Sequence, residues 1–417
     1  MSSTIIIIGA GLAGLAAARR LNRAGREVLI IDADSRAGGR LKTDVLEGFR
    51  LDRGFQVYFS AYPFAGPELD FSRLNMKKFV PGAIVWDGKK LNEINGEDEI
   101  AMLFRSYLGF NDKFRLMTYS NELKSKSIEE IWAQEDIPAE TLLQRVGFST
   151  QCIDRFFRPF FGGIFLDRSL SVSSQMFEYV MKMLAMGDTC VPALGMEEIP
   201  KQIAADLPAS AFRFNTRVSQ VIVENGVAKG VKLESGEVIG GEWVVVATEA
   251  STAADLTGLP VPKASLSSTC IWYDAAESPT EEALIVLNGP GHGKVNHVAC
   301  MTKVSKDYAP AGRHLVCATI LGDSPLDDIH TAESAKFEVA RWLPGADKWR
   351  PLRVDRISFA QMQQLPGFRN GLPGTLPGVE NLCFAGEFTQ YSSIDGACRS
   401  AQLCAAHILK SRSAAAV

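Results

Sequence analysis

The sequence predicts an α/β protein organised on a strand–turn–helix–strand unit, and three observations predict it. An apolar run, Ile5 to Ile8, leads directly into the glycine turn Gly9-Ala10-Gly11-Leu12-Ala13-Gly14. An Ala/Leu/Arg-rich helical segment follows, and Gly25 is placed to end it in a left-handed conformation. A second apolar strand, Val28 to Ile31, then finishes on Asp32. This is the order of a Rossmann-type dinucleotide site.

Each part has a mechanical reason. Gly9 lets the chain turn sharply out of the strand, Gly11 leaves room for a pyrophosphate, and Gly14 lets the helix pack closely on the sheet. The amides of the first helical turn, those of Leu12 and Ala13 among them, face the phosphates with the positive end of the helix dipole behind them. Asp32 stands 32 − 14 = 18 residues past the last glycine, near the roughly 20 expected of an acid that holds a ribose 2′-OH. Ala33, next to it, is counted with the nucleotide site, and a 2′-phosphate would be repelled there. Two other readings of this opening fail. A secretory signal would carry its basic residues before the apolar part, whereas Arg19-Arg20 follow it. A membrane span needs about 20 apolar residues, more than this opening offers before its first charge.

Composition bounds the rest. A chain of 417 residues points to two domains, and 46% hydrophobic residues suit a sizeable core. With a net charge of −4 and scattered basic residues there is no electrostatic footprint for nucleic acid. The eight cysteines show no CxxC spacing and read as reduced thiols in a cytoplasmic, or at least intracellular, setting. The five histidines form neither HExxH nor a Cys/His cluster, so no metal site is predicted. Asn296 and His297 read as core or surface residues before they read as pocket residues. No transmembrane segment is expected, although peripheral contact with a membrane is allowed.

A second glycine signal follows the first: Gly38-Gly39-Arg40, in which paired glycines permit close backbone approach and Arg40 suits a phosphate oxygen. A simple NAD dehydrogenase has no use for this loop. It resembles the second phosphate-contacting motif of the FAD-dependent amine oxidase superfamily, which includes monoamine and polyamine oxidases, protoporphyrinogen oxidase and phytoene desaturase. The closing stretch, Phe384-Ala385-Gly386-Glu387-Phe388-Thr389 with Ile394-Asp395-Gly396-Ala397-Cys398-Arg399-Ser400-Ala401, is similar to the family's last motif, with Ala401 where glycine is usual. A "P-x-G-G-M" element is matched by residues 192–196, with Leu194 in place of the first glycine.

The resemblance implies non-covalently bound FAD and a three-layer ββα Rossmann-like FAD-binding domain. That domain would comprise residues 1–60, 195–260 and 345–417, interleaved with a substrate domain of mixed sheet plus helices over 61–194 and 261–344. It implies that Gly54, Phe55 and Gln56 run beneath the flavin ring, with Tyr58 near the substrate cavity; taken singly, Tyr58 reads equally well as part of a surface hairpin. By the same resemblance the backbone of Val218 meets the adenine. Gly386 and Glu387 contact ribityl or phosphate groups, and the helix opened by Ile394, Asp395 and Ala397 points its amides at the flavin edge.

Between these motifs, residues 62–194 read as mainly helical, with segments at 101–108, 128–132 and 176–184. The run Arg155 to Phe165 is unusually aromatic; such rings serve a core or line a cavity for an apolar substrate. Strands are expected at 268–273, 283–287, 297–302 and 314–321, a hairpin turn or lid at 289–294, and a frayed tail from Ser411. No Ser/His/Asp, Cys/His or paired-carboxylate arrangement stands out, so no catalytic residue is named. The expected activity is hydride acceptance at flavin N5 from an apolar, carotenoid- or tetrapyrrole-like small molecule. Oxidation of an amine C–N bond is the alternative, and a non-catalytic FAD-binding protein is a third reading.

Overall fold

A computed structural model describes residues 3–95 and 107–415. Its centre is a five-stranded parallel sheet in the order Phe212–Arg213, Val28–Ile31, Ile5–Ile8, Trp243–Val246, Leu382–Phe384. The central strand is isoleucine throughout because both of its faces are covered. Ile6 and Ile8 pack with Val221, Val231 and Leu233 of an antiparallel three-stranded sheet. Ile5 and Ile7 pack with Leu15 and Leu21 of the Leu12–Arg23 helix and with Cys404 and Ile408 of the Ile394–Ala415 helix. This is the ββα layering. Ala16, Ala17 and Ala401 form the seam between the two helices, where small side chains permit close approach.

A seven-stranded sheet forms the second half, in the order Arg350–Met362, Ser265–Ala275, His314–Leu321, Val295–Cys300, Ile285–Asn288, Gly82–Trp86, Leu91–Asn95. One face is closed by the Asp328–Val339 helix, Trp342 and Trp349. The other face, through Cys270, Trp272, Leu287, Ala299 and Cys317, joins a core shared with the aromatic helices. Those helices are Arg158–Phe165, entered through a π-helical turn at Ile153–Phe157, and Ser174–Met186.

Several expectations need correction. Residues 82–95 are not helical: Gly82–Trp86 and Leu91–Asn95 form a hairpin on the edge of the large sheet, and the inward positions of the first strand, Ala83 and Val85, alternate with partly exposed ones. The boundary at 345 does not follow the sheets, because Arg350–Met362 pairs with Ser265–Ala275 in the seven-stranded sheet. The expected strand at 297–302 runs from Val295 to Cys300 and turns helical at Met301. Residues 289–294, by contrast, form the expected turn of an antiparallel hairpin, its return amides at Lys294 and Val295 bound by the Glu338 carboxylate. The last helix continues to Ala415. The segment expected at 101–108 lies outside the described residues apart from its final two.

Candidate active site

Between the two halves lies a cavity of about 1120 Å³. It has a glycine-rich end, a polar middle and an aromatic end. The glycine-rich end is two loops fused into one floor. Gly9 takes φ +106°, and a Cβ there would sit 2.7 Å from the Ala247 carbonyl oxygen. The Gly38 amide donates to the Ala10 carbonyl at 2.9 Å, and a Cβ on Gly39 would come to 3.0 Å from the Gly11 Cα. Glycine is therefore required for the loops to touch. The amides of the first turn after Gly11 have no acceptor within the helix, as at any helix start.

Asp32 lines the cavity and braces this floor. One of its carboxylate oxygens accepts from the Ala10 amide at 2.6 Å and the other from the Asp34 amide at 2.8 Å. A carboxylate offers about four acceptor directions, so it can still receive hydroxyls. Beside it, the ion pair with Lys42 holds the Asp34 carboxyl below its ordinary range. Arg40 pairs with the Glu387 carboxylate at 2.7 Å, and Ser392 Oγ donates to the same carboxylate at 2.7 Å.

Of the residues anticipated for a cofactor, the cavity wall includes Gly9, Gly11, Leu12, Ala13, Asp32, Ala33, Gly38, Gly39, Arg40, Gly54, Phe55, Gln56, Val218, Gly386, Glu387, Ile394 and Ala397. Two are not in it. Gly14 lies behind the floor, where a Cβ would run into the Gly9 carbonyl oxygen, so its work is helix packing. Asp395 is fully buried and turned away. One of its oxygens accepts from the amides of Phe64 and Ala65 at 2.8 Å, the other from the hydroxyls of Tyr179 and Tyr391 at 2.7 Å. It ties the last helix to the aromatic region. Tyr58, expected near the substrate, is neither on the surface nor in the cavity wall; it is a core ring set edge-on to Tyr62 and Phe71.

The middle of the cavity contains a buried polar atom with an unmet need. Gln56 donates its amide to the carbonyls of Arg40 and Arg53 at 3.0 Å, which leaves its own carbonyl oxygen buried without a donor among the described residues. An amide-bearing ring would satisfy it. The two-loop floor, the bracing acid and this orphaned acceptor together fit a flavin dinucleotide.

At the aromatic end the wall carries Phe156, Phe160, Phe161, Ile164, Phe165, Met176, Val180 and Leu184. The rings stack in a ladder, Phe156 on Phe160 at 5.6 Å and Phe161 on Phe165 at 6.2 Å between centroids. Among the described residues, Asp188 is the one carboxylate that neighbours this set in the wall, and it is paired with Lys78 at 2.7 Å. Among the described residues no lysine lines the cavity.

His297, expected in the core or on the surface, is instead a wall residue. It is 2% exposed, lies 5.0 Å from the Phe55 ring, and burial pulls its pKa down to about 3, so it is neutral. Strand alternation would set Asn296 and His297 on opposite faces. A register shift between Val295 and His297 breaks the alternation, and the Asn296 amide nitrogen sits 3.1 Å from His297 Nδ1.

Comparison with known proteins agrees with this geometry. The family described as flavin containing amine oxidoreductase matches residues 12–409. Protoporphyrinogen oxidase 2 of Arabidopsis thaliana is 29% identical over 38% of this chain and 32% of its own length. A phytoene desaturase of Cercospora nicotianae is 23% identical over 58% of this chain and 44% of its own. The matches thus span 32% and 44% of the length of these two relatives, less than half of each. Among solved structures, putrescine oxidase bound to putrescine superposes with a TM-score of 0.72 at 17% identity, over 98% of this chain and 99% of that one, a likeness of fold.

Proposed function

This chain belongs to the flavin containing amine oxidoreductase family, which makes FAD its cofactor, and from that premise we propose a particular activity. It is an FAD-dependent oxidoreductase that oxidises, desaturates or isomerises an apolar small molecule of the carotenoid or tetrapyrrole kind. The observation that carries this reading is the aromatic end of the cavity: a wall of phenylalanine and aliphatic side chains whose one nearby carboxylate among the described residues is already paired.

In this reading the fused glycine floor and Arg40 hold the pyrophosphate, Asp32 the ribose and Val218 the adenine. Gly54 to Gln56, Glu387 and the start of the last helix hold the flavin. When bound, the flavin supplies a two-electron acceptor. The chain supplies position and exclusion of water. The phenylalanine ladder buries the substrate at about 25 cal/mol per Å² of apolar surface, and the N-terminal dipole of the Ile394–Ala415 helix favours negative charge close by. No side chain is assigned as a proton donor or acceptor.

A cationic amine would want an unpaired carboxylate or an open aromatic cage, and the described residues offer no free acid at the aromatic end. The deciding experiment is anaerobic mixing of the FAD-loaded protein with carotenoid, porphyrinogen and amine compounds. The expected result is flavin bleaching, or isomerisation without net bleaching, with the first two and little response to primary amines or polyamines. Rapid bleaching by a simple amine, with none from any apolar compound, would establish amine oxidation instead.

A further inference from the structure

The wall around His297 is built in a way that simple packing does not require. Arg168 donates from Nη1 to the Asn296 side-chain oxygen at 2.8 Å and to the Asn288 carbonyl at 3.0 Å, and from Nη2 to the Gly289 carbonyl at 3.0 Å. A guanidinium cannot accept, so the Asn296 oxygen must face it. The Asn296 nitrogen then has two protons to place. Its neighbours are the Pro159 carbonyl at 3.1 Å and His297 Nδ1 at 3.1 Å. Turning the amide over would set donor against donor at Arg168 and oxygen against oxygen at Pro159. His297 Nδ1 is therefore an acceptor, and the ring's proton resides on Nε2. That nitrogen is buried and meets no acceptor among the described residues. Gly163 makes the arrangement possible, since a Cβ there would come to 3.0 Å from the Asn296 nitrogen and 3.1 Å from His297 Nδ1.

Burying an N–H without an acceptor destabilises a fold. Here a charged side chain and an asparagine are arranged to keep it so, in the wall of the substrate cavity. We propose that His297 is a specificity-determining residue, its Nε2–H donating to an acceptor oxygen, such as a carbonyl, on an otherwise apolar ligand. Arg168 and Asn296 are positioning residues that fix its tautomer. The inference rests on the apolar reading of the cavity and narrows it from hydrocarbon to oxygen-bearing apolar compounds.

Two measurements on the FAD-loaded protein test it. The first titrates a matched pair, 2-acetylnaphthalene and 2-ethylnaphthalene, against the visible flavin spectrum of wild type and His297→Phe. The preference for the ketone over the hydrocarbon should fall about tenfold in the variant. If both bind wild type and the preference is the same in the variant, the inference is wrong while the apolar reading stands. If neither binds, the apolar reading fails and takes the inference with it. The second is the ¹⁵N spectrum of histidine-labelled protein, with the His297 signals assigned by their loss in the variant. A protonated Nε2 and a bare Nδ1, becoming a tautomer mixture in Arg168→Met, are expected. A proton on Nδ1 in wild type would overturn the assignment.

Discussion

Asp52 gives a prediction whose sign and size follow from its surroundings. It is 1% exposed, immediately before the Gly54 bend that enters the cavity wall. Its carboxyl accepts from Thr43 Oγ1 at 2.5 Å, the Met196 amide at 2.9 Å and the Tyr308 hydroxyl at 2.8 Å. Burial outweighs these bonds and raises its pKa from 3.8 to about 6. An acid whose pKa is higher folded than unfolded binds its proton more tightly when folded. Its contribution to stability is therefore fully present below pH 3.8 and is lost as pH rises through about 6. The gap of about 2 pK units corresponds to about 3 kcal/mol at most. Asp52→Asn keeps the geometry, because the amide oxygen can accept from Thr43 and Met196 while its nitrogen donates to Tyr308. Urea denaturation of both proteins, saturated with FAD, should show the Asp52→Asn variant gaining on wild type as pH rises from 4 to 7, by up to that amount. A constant difference between the two across that range, or a difference that shrinks with pH, would refute the reasoning.

Asp32→Ala and Arg40→Ala should each yield folded protein depleted in FAD, seen in the ratio of flavin to protein absorbance. Each loses a charge-assisted hydrogen bond of about 1.5–3 kcal/mol, and full occupancy in both would show that the glycine floor does not hold the dinucleotide. Denaturation should release all the flavin, because Cys383 is wholly buried in the Leu382–Phe384 strand and absent from the cavity wall; colour retained by the precipitated chain would contradict this. Asp395→Ala should lower stability by several kcal/mol, about 1–3 for each buried donor left without an acceptor, since two amides and two tyrosine hydroxyls share this carboxylate. Thermal melting reads the loss, and a shift no larger than that of an exposed Asp255→Ala control would count against a structural role.

The two ends of the chain were legible in the sequence because their chemistry is local. A strand, a glycine turn and a helix start are consecutive in sequence, so Gly9, Gly11 and Asp32 announce their places by spacing, and Gly38 to Arg40 by their position just after that unit and their resemblance to a family motif. Long-range geometry decided the rest. Asp395 follows the cavity motif residue by residue, yet its side chain turns to Phe64, Ala65 and two tyrosines, partners between 4 and 331 positions away. The hairpin at 82–95 is short, and it becomes strand by pairing with Ile285–Asn288 some 200 residues later. His297 enters the wall through a register shift and is fixed by Arg168, 128 positions before the asparagine it grips. Spacing along a chain specifies the backbone of a turn. The direction of a buried polar side chain is set by whichever donors and acceptors the fold brings to it, and only the tertiary structure contains that information.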